Sequence, residues 1–241
     1  MLISVIIPAF NEEAYLGKTL TSINLATDLL QRGANVAAEI IVVDNDSDDG
    51  TVATASALGA RVIHEPLRNI STVRNSGAKA SRGDVLVFVD ADTIVPANLL
   101  TRIVQVCADD RCIGGALDTD YYPTKLAVRI YLQIWRIIGK VTGMAQGATQ
   151  FCRREAFFPL NGYDETLFMG EDVDFFWRLK RLAKRNHCRV SFVDDVKVSP
   201  STRRFDSWRL WRTLVWTNPL FVFMFRRRKT HWQGWYTAIP R

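Results

Sequence analysis

Residues 83–92 read Gly83-Asp-Val-Leu-Val-Phe-Val-Asp-Ala-Asp92, five apolar residues in a row followed by two carboxylates. A run with no polar residue at alternate positions predicts a strand covered on both faces, as in a parallel sheet. Side chains alternate along such a strand, so Asp90 and Asp92 point the same way just as it ends. Upstream, Leu2–Ile7, Glu39–Val43 and Arg61–His64 have the same character. Between them, Leu16, Leu20, Ile23 and Leu30 recur on one helix face, with Asn11 placed to cap its start. Residues 50–58 and 71–80 read as crossover helices, ended by Gly59 and Gly83. This alternation predicts an α/β chain with a doubly wound, mainly parallel sheet flanked by helices. Ligands bind such sheets beyond the carboxyl ends of the strands. There the chain places Asn11, the acidic run Asp44–Asp49, and Asp90 with Asp92.

Further on, the pattern predicts a helix ending near Val106 and a strand near Cys112–Leu117. An amphipathic helix over about 125–140 follows, then a loop and short strand over 143–152, and a helix over 172–184. Composition changes at Pro200. The stretch from Ser201 carries nine of the 31 Lys and Arg residues but one of the 25 Asp and Glu, so the net charge of +6 belongs to the tail. We therefore divide the chain into a domain over 1–199 and a basic, aromatic, helical extension over 200–241. The four cysteines form no CxxC pair, which indicates neither a zinc ribbon nor a disulfide framework and favours buried thiols in a reducing compartment. The apolar start reaches Asn11-Glu-Glu13 too soon for a signal peptide, so the body is expected in the cytoplasm.

The carboxylates admit two readings each. Asp90 and Asp92 are either a strand-end turn or a pair whose repulsion a hard cation relieves, Mg²⁺ or Mn²⁺ held with substrate phosphates. The run Asp44-Asn-Asp-Ser-Asp-Asp-Gly50 supplies Asx turns and helix caps, yet has more acid than a turn needs. Asp44, nearest the strand end, is the better candidate to meet a nucleobase. Asp172, at the start of an amphipathic helix, is a helix cap or a base that takes a proton from an acceptor hydroxyl. Arg74 either neutralises phosphate or pairs with an acidic loop residue, or else is a solvated surface arginine. The three histidines are scattered and suggest no triad or metal cluster.

Val5-Ile-Ile-Pro-Ala-Phe-Asn-Glu-Glu13, Val42-Val-Asp-Asn-Asp-Ser-Asp-Asp-Gly-Thr51, Arg74-Asn-Ser-Gly-Ala78 and the 83–92 segment together resemble the family 2 glycosyltransferases of GT-A fold. The match continues through Phe151-Cys-Arg-Arg-Glu-Ala-Phe157, Asn161-Gly-Tyr-Asp-Glu165 and Gly170-Glu-Asp172. The resemblance implies an inverting enzyme that takes a UDP-, GDP- or dTDP-sugar to a hydroxyl acceptor. It implies donor contacts from Pro8, Phe10, Asn11, Glu13, Asp44, Asp46, Arg74, Asp90, Ala91 and Asp92. It also implies a metal at Asp90 and Asp92, catalysis by Asp172, and a sugar or acceptor near Gly147 and Glu171. Asn45 stands where relatives often carry a second Asp. The Gln-x-x-Arg-Trp motif of processive synthases is missing after Asp172, which favours single addition, and no histidine near Ser199 completes a metal shell.

Trp208, Trp211, Trp216, Phe221, Phe223 and Phe225 precede Arg226-Arg-Arg-Lys229, a composition suited to an anionic membrane surface near a lipid-linked or cell-envelope acceptor. Packing on the body or self-association is the other reading. Basic charge confined to the tail argues against nucleic acid. A sugar-phosphate nucleotidyltransferase requires a glycine-rich basic loop after the first strand, and Pro8–Glu13 is neither. A non-catalytic nucleotide-sugar or membrane-binding module of the same fold is the remaining alternative.

Overall fold

The computed structural model describes residues 1–34, 36–142 and 148–232. Strands β1 (Leu2–Ala9), β2 (Ala37–Asp44), β3 (Arg61–His64) and β4 (Val85–Val89) are linked by helices α1 (Glu13–Ala34), α2 (Thr51–Ala57) and α3 (Ile70–Ala80). Their order is β3-β2-β1-β4, all parallel, as the continuous apolar runs predict. Beyond β4 the chain forms β5 (Thr93–Ile94), α4 (Leu99–Cys107), β6 (Cys112–Thr119), α5 (Leu126–Thr142) and β7 (Thr149–Arg153). Then come α6 (Arg154–Phe157), a 3-10 turn, α7 (Glu171–Arg185) and β8 (Arg189–Pro200). Strand β7 enters antiparallel between β4 and β6, β8 lies parallel to β6, and β5 pairs antiparallel with β8. The second half of the sheet is therefore mixed. Strand β8 escaped the sequence reading because Asp194, Asp195 and Lys197 break its apolar pattern and are exposed.

Two layers of core hold the sheet. On one face α1 and α4 pack Leu16, Leu20, Ile23, Leu30, Leu100 and Ile103 against Ile3, Val5, Val85 and Val87. On the other, α3 and α7 cover Ile6, Ile41, Leu86 and Phe88 with Val73, Phe175 and Leu179. Burial of this apolar surface is the main stabilising term.

Two local signals are corrected. Asn11 does not cap α1; it takes a left-handed φ of 52° and exchanges hydrogen bonds with Asp48. The N–H groups at the start of α1 instead reach the acidic loop, Glu12 N donating to Thr51 Oγ1 and Glu13 N to Asp49 Oδ2. Gly83 does not stop α3, whose C-cap is Ser81. Gly83 lets the chain pass close to β1, where an added Cβ would lie 2.4 Å from Ser4 Oγ.

After Pro200 the basic segment includes the short helices α8 (Arg203–Ser207), α9 (Leu210–Trp216) and α10 (Pro219–Phe225). Asn218 caps α10 and Pro219 occupies its first turn, which separates it from α9. Trp208 and Trp232 are buried, and Trp216 meets both rings edge-on. Part of the aromatic content is thus used in packing. Among the described residues, no helix is long and apolar enough to cross a membrane.

Candidate active site

The site lies where β4 ends and α7 begins. Arg74, projecting from α3, is buried and bridges two elements, donating at 2.8 Å to Asp90 Oδ1 and at 2.6 Å to Glu171 Oε1. Burial opposes the charge on Arg74, but Asp90 and Glu171 outweigh it and keep the guanidinium protonated far above its ordinary range. Removing a buried guanidinium strands its partners. Arg74→Met is therefore expected to cost about 3 kcal/mol, the low end for breaking a buried pair because Asp90 keeps some water. The check is a melting temperature lower by roughly 10 °C.

Glycine at 170 sets up Asp172. Gly170 is the N-cap of α7, with a left-handed φ of 70°, so Asp172 is the second helical residue and not the cap. Its Oδ1 accepts a local bond from Val173 N, and Gln150 Nε2 donates to its main-chain oxygen at 3.0 Å. Burial, then the neighbouring Glu171, pushes the Asp172 carboxyl up to about 7, against the pull of Arg74. A carboxyl poised there exchanges protons at neutral pH.

On the other side of Asp90, Asp92 faces the C-terminal segment. Arg203, at the start of α8, bonds Glu12 and lies 3.4 Å from Asp92 Oδ2, its guanidinium 4.1 Å from the Tyr15 ring centroid. Arg204 lies near the same carboxylates. Burial, then Asp90 and Glu12, pushes Asp92 up to about 7. Tyr121 completes the wall; burial, then Asp90, Asp92 and Asp172, hold its hydroxyl protonated beyond the ordinary phenol range.

The structure brings together Arg74, Asp90, Asp92, Glu171 and Asp172; the Ala91 carbonyl is turned away to accept from Thr19 Oγ1. Asp44 sits at the end of β2, in register with Ala9 of β1 and 3.4 Å from His64 Nδ1. It is on the same edge of the sheet, two strands from Asp90, about 10 Å at ordinary strand spacing. Pro8, Phe10 and Asn11 lie between: Pro8 is in register with Val43, and Phe10 is covered by Arg68 at 3.6 Å. Glu13 and Asp46 stand apart. Glu13 Oε2 accepts from Gly50 N, and Asp46 is exposed beside Arg68. Asn45 is an amide because its Nδ2 donates to the carbonyls of Glu65 and Leu67, a task that an aspartate cannot perform. Gly147 lies outside the described residues.

Sequence reasoning missed Glu12, Tyr121, Gln150, Arg203 and Arg204. The Arg203-Arg204 pair was visible only as tail charge, and no local signal marks Gln150.

A divalent cation fits this donor set. Five carboxyl groups, Glu12, Asp90, Asp92, Glu171 and Asp172, meet three guanidinium groups, Arg74, Arg203 and Arg204, which leaves a surplus of negative charge. Glu12 Oε2 is buried without a partner. Among the described residues no three acidic, cysteine or histidine side chains are grouped so as to hold a metal ion by themselves.

The profile of glycosyl transferase family 2 matches residues 4–158. The chain belongs to this family. Over 102 residues it is 37% identical to the glucosyl-3-phosphoglycerate synthase of Mycolicibacterium paratuberculosis, covering 39% of this chain and 29% of that one. Over 153 residues it is 28% identical to the undecaprenyl-phosphate 4-deoxy-4-formamido-L-arabinose transferase of Sodalis glossinidius, covering 60% and 45%. Among solved structures, the mannosyltransferase PcManGT of Pyrobaculum calidifontis, in complex with GDP-Man and Mn²⁺, aligns with a TM-score of 0.67 at 20% identity, over 87% of this chain and 59% of that one. The likeness is one of fold, and the fold of this family 2 chain is GT-A. The matched stretches span 26% to 30% of the first curated relatives' lengths.

Proposed function

We propose that this family 2 chain is an inverting, metal-dependent glycosyltransferase that moves one sugar from a nucleoside diphosphate to a hydroxyl acceptor. The observation that carries this reading is the meeting of Asp90 and Asp92, at the end of β4, with Glu171 and Asp172, at the start of α7, around the buried Arg74. Asp44 receives the base at one end of the crevice. Asp90 and Asp92 would hold Mg²⁺ or Mn²⁺, which supplies Lewis-acid neutralisation of the diphosphate when bound. Arg203 and Arg204 border the same position and offer guanidinium groups to phosphate oxygens. Asp172 takes the proton from the acceptor hydroxyl as its oxygen attacks the anomeric carbon. The bond to the diphosphate breaks on the opposite face, so the configuration inverts.

The acceptor is proposed to be lipid-linked or a cell-envelope glycan precursor, handled on the cytoplasmic side, with the C-terminal extension attached to the membrane surface. Its composition and the similarity to an undecaprenyl-phosphate sugar transferase support this. The test is incubation with UDP-, GDP- and dTDP-sugars, with Mn²⁺, Mg²⁺ or chelator. Metal-dependent release of nucleoside diphosphate from one donor is expected; no metal-dependent binding or release with any of them leaves a non-catalytic module of the same fold.

A further inference from the structure

Helix α5 carries an apolar row that no described element covers. Leu126, Ile130, Ile134 and Ile137, spaced to share one face, are 67%, 53%, 50% and 62% exposed. The opposite side of α5 is fixed to the body. Val128 and Leu132 pack with Phe205, and Arg136 pairs with the buried Asp118. The row is therefore held outward by an anchored helix.

Helix α9 packs beside α5 and α10 packs on α9, with Tyr131 Oη 2.9 Å from Thr217 Oγ1 across the first junction. Both carry exposed apolar side chains of their own, α9 Leu210, Trp211, Leu214 and Val215, α10 Leu220, Phe223 and Met224. An apolar surface this extended on a water-facing protein marks an interaction site.

Charge identifies the occupant. Residues 121–154 and 207–241 contain no Asp or Glu, whereas Arg129, Arg209, Arg227, Arg228 and Lys229 are exposed beside the apolar rows. A second copy of the chain would set this basic surface against itself. An anionic lipid bilayer complements it, taking the apolar side chains among its acyl chains and the cations at its headgroups.

We infer that α5, α9 and α10 form one composite platform that docks on an anionic membrane, with α5 an essential part of it. This extends the reading of the C-terminal segment to a helix in the middle of the chain. The platform adjoins the site from within. Tyr121, just before α5, meets Phe205 edge-on, and α8 carries Arg203 to Asp92. Docking thus sets the carboxylate cluster beside the bilayer, where a lipid-linked hydroxyl is presented.

The full chain should float with phosphatidylcholine vesicles containing phosphatidylglycerol, release with added salt, and ignore vesicles of phosphatidylcholine alone. Ile130→Glu combined with Ile134→Glu should weaken flotation about tenfold or more. Circular dichroism should show the parent fold, and metal-dependent donor hydrolysis should be unchanged. Ile130→Ser with Ile134→Ser, a milder pair, should weaken it less. Flotation of the glutamate pair equal to the parent removes α5 from the platform. A parent that ignores anionic vesicles and is a dimer broken by the same pair assigns the face to a second copy instead. Intact flotation without donor hydrolysis in any form sinks the transferase reading and leaves the platform standing.

Discussion

Asp172→Asn is expected to lower sugar transfer roughly 10²- to 10⁴-fold, the range for loss of a positioned general base. Nucleoside diphosphate affinity should stay close to that of the parent. The amide keeps the shape and the local bond from Val173 N, but cannot take a proton. Its pH profile separates this role from a structural one. Burial, then Glu171, pushes the Asp172 carboxyl up to about 7, so the parent loses transfer as pH falls through that value and the base becomes protonated. Steady-state rates across the neutral range should show an acidic limb in the parent and none in the residual activity of the variant. Near-parental turnover in Asp172→Asn rejects the assignment.

Asp92→Asn should abolish the stabilisation that Mn²⁺ with a nucleoside diphosphate gives the parent, a shift that a tightly bound ligand makes several degrees wide. The same change should raise the melting temperature of the ligand-free protein at alkaline pH. The sign follows from Asp92 being pushed up to about 7 by burial and by its neighbours Asp90 and Glu12. A carboxyl whose folded-state pKa exceeds its unfolded one favours the folded state when protonated. That advantage is lost as pH rises from the ordinary carboxylate range, about 4, to about 7. Asparagine carries no such charge, so the variant should gain on the parent across that window. Thermal melts at acid and alkaline pH, with and without metal and nucleotide, measure both effects. A variant that still responds to Mn²⁺ and nucleotide places the cation elsewhere.

The parallel half of the sheet was legible because its strands are buried on both faces, and that leaves continuous apolar runs. The mixed half was less so. Strand β8 exposes acids and a lysine in its middle, and the tail helices are a single turn or two long, below the length at which periodicity speaks. At the site, Asp90 and Asp92 stood out in the sequence because they follow a strand, and Asp172 because it lies in the first turn of an amphipathic helix. The roles of Glu13, Asp48 and Asp49 were not: these residues knit the acidic loop to the start of α1, and spacing alone does not distinguish a carboxylate facing a ligand from one facing a backbone N–H. Arg203 was hidden for a different reason, since its partner Glu12 lies 191 positions away.

That pairing has a consequence for how the crevice is held shut. Glu12 follows β1 and Arg203 follows β8, so the guanidinium reaches Glu12 and Asp92 only when both halves of the sheet are in place. The wall is thus a join between distant stretches of chain, and its geometry depends on the whole sheet rather than on either half.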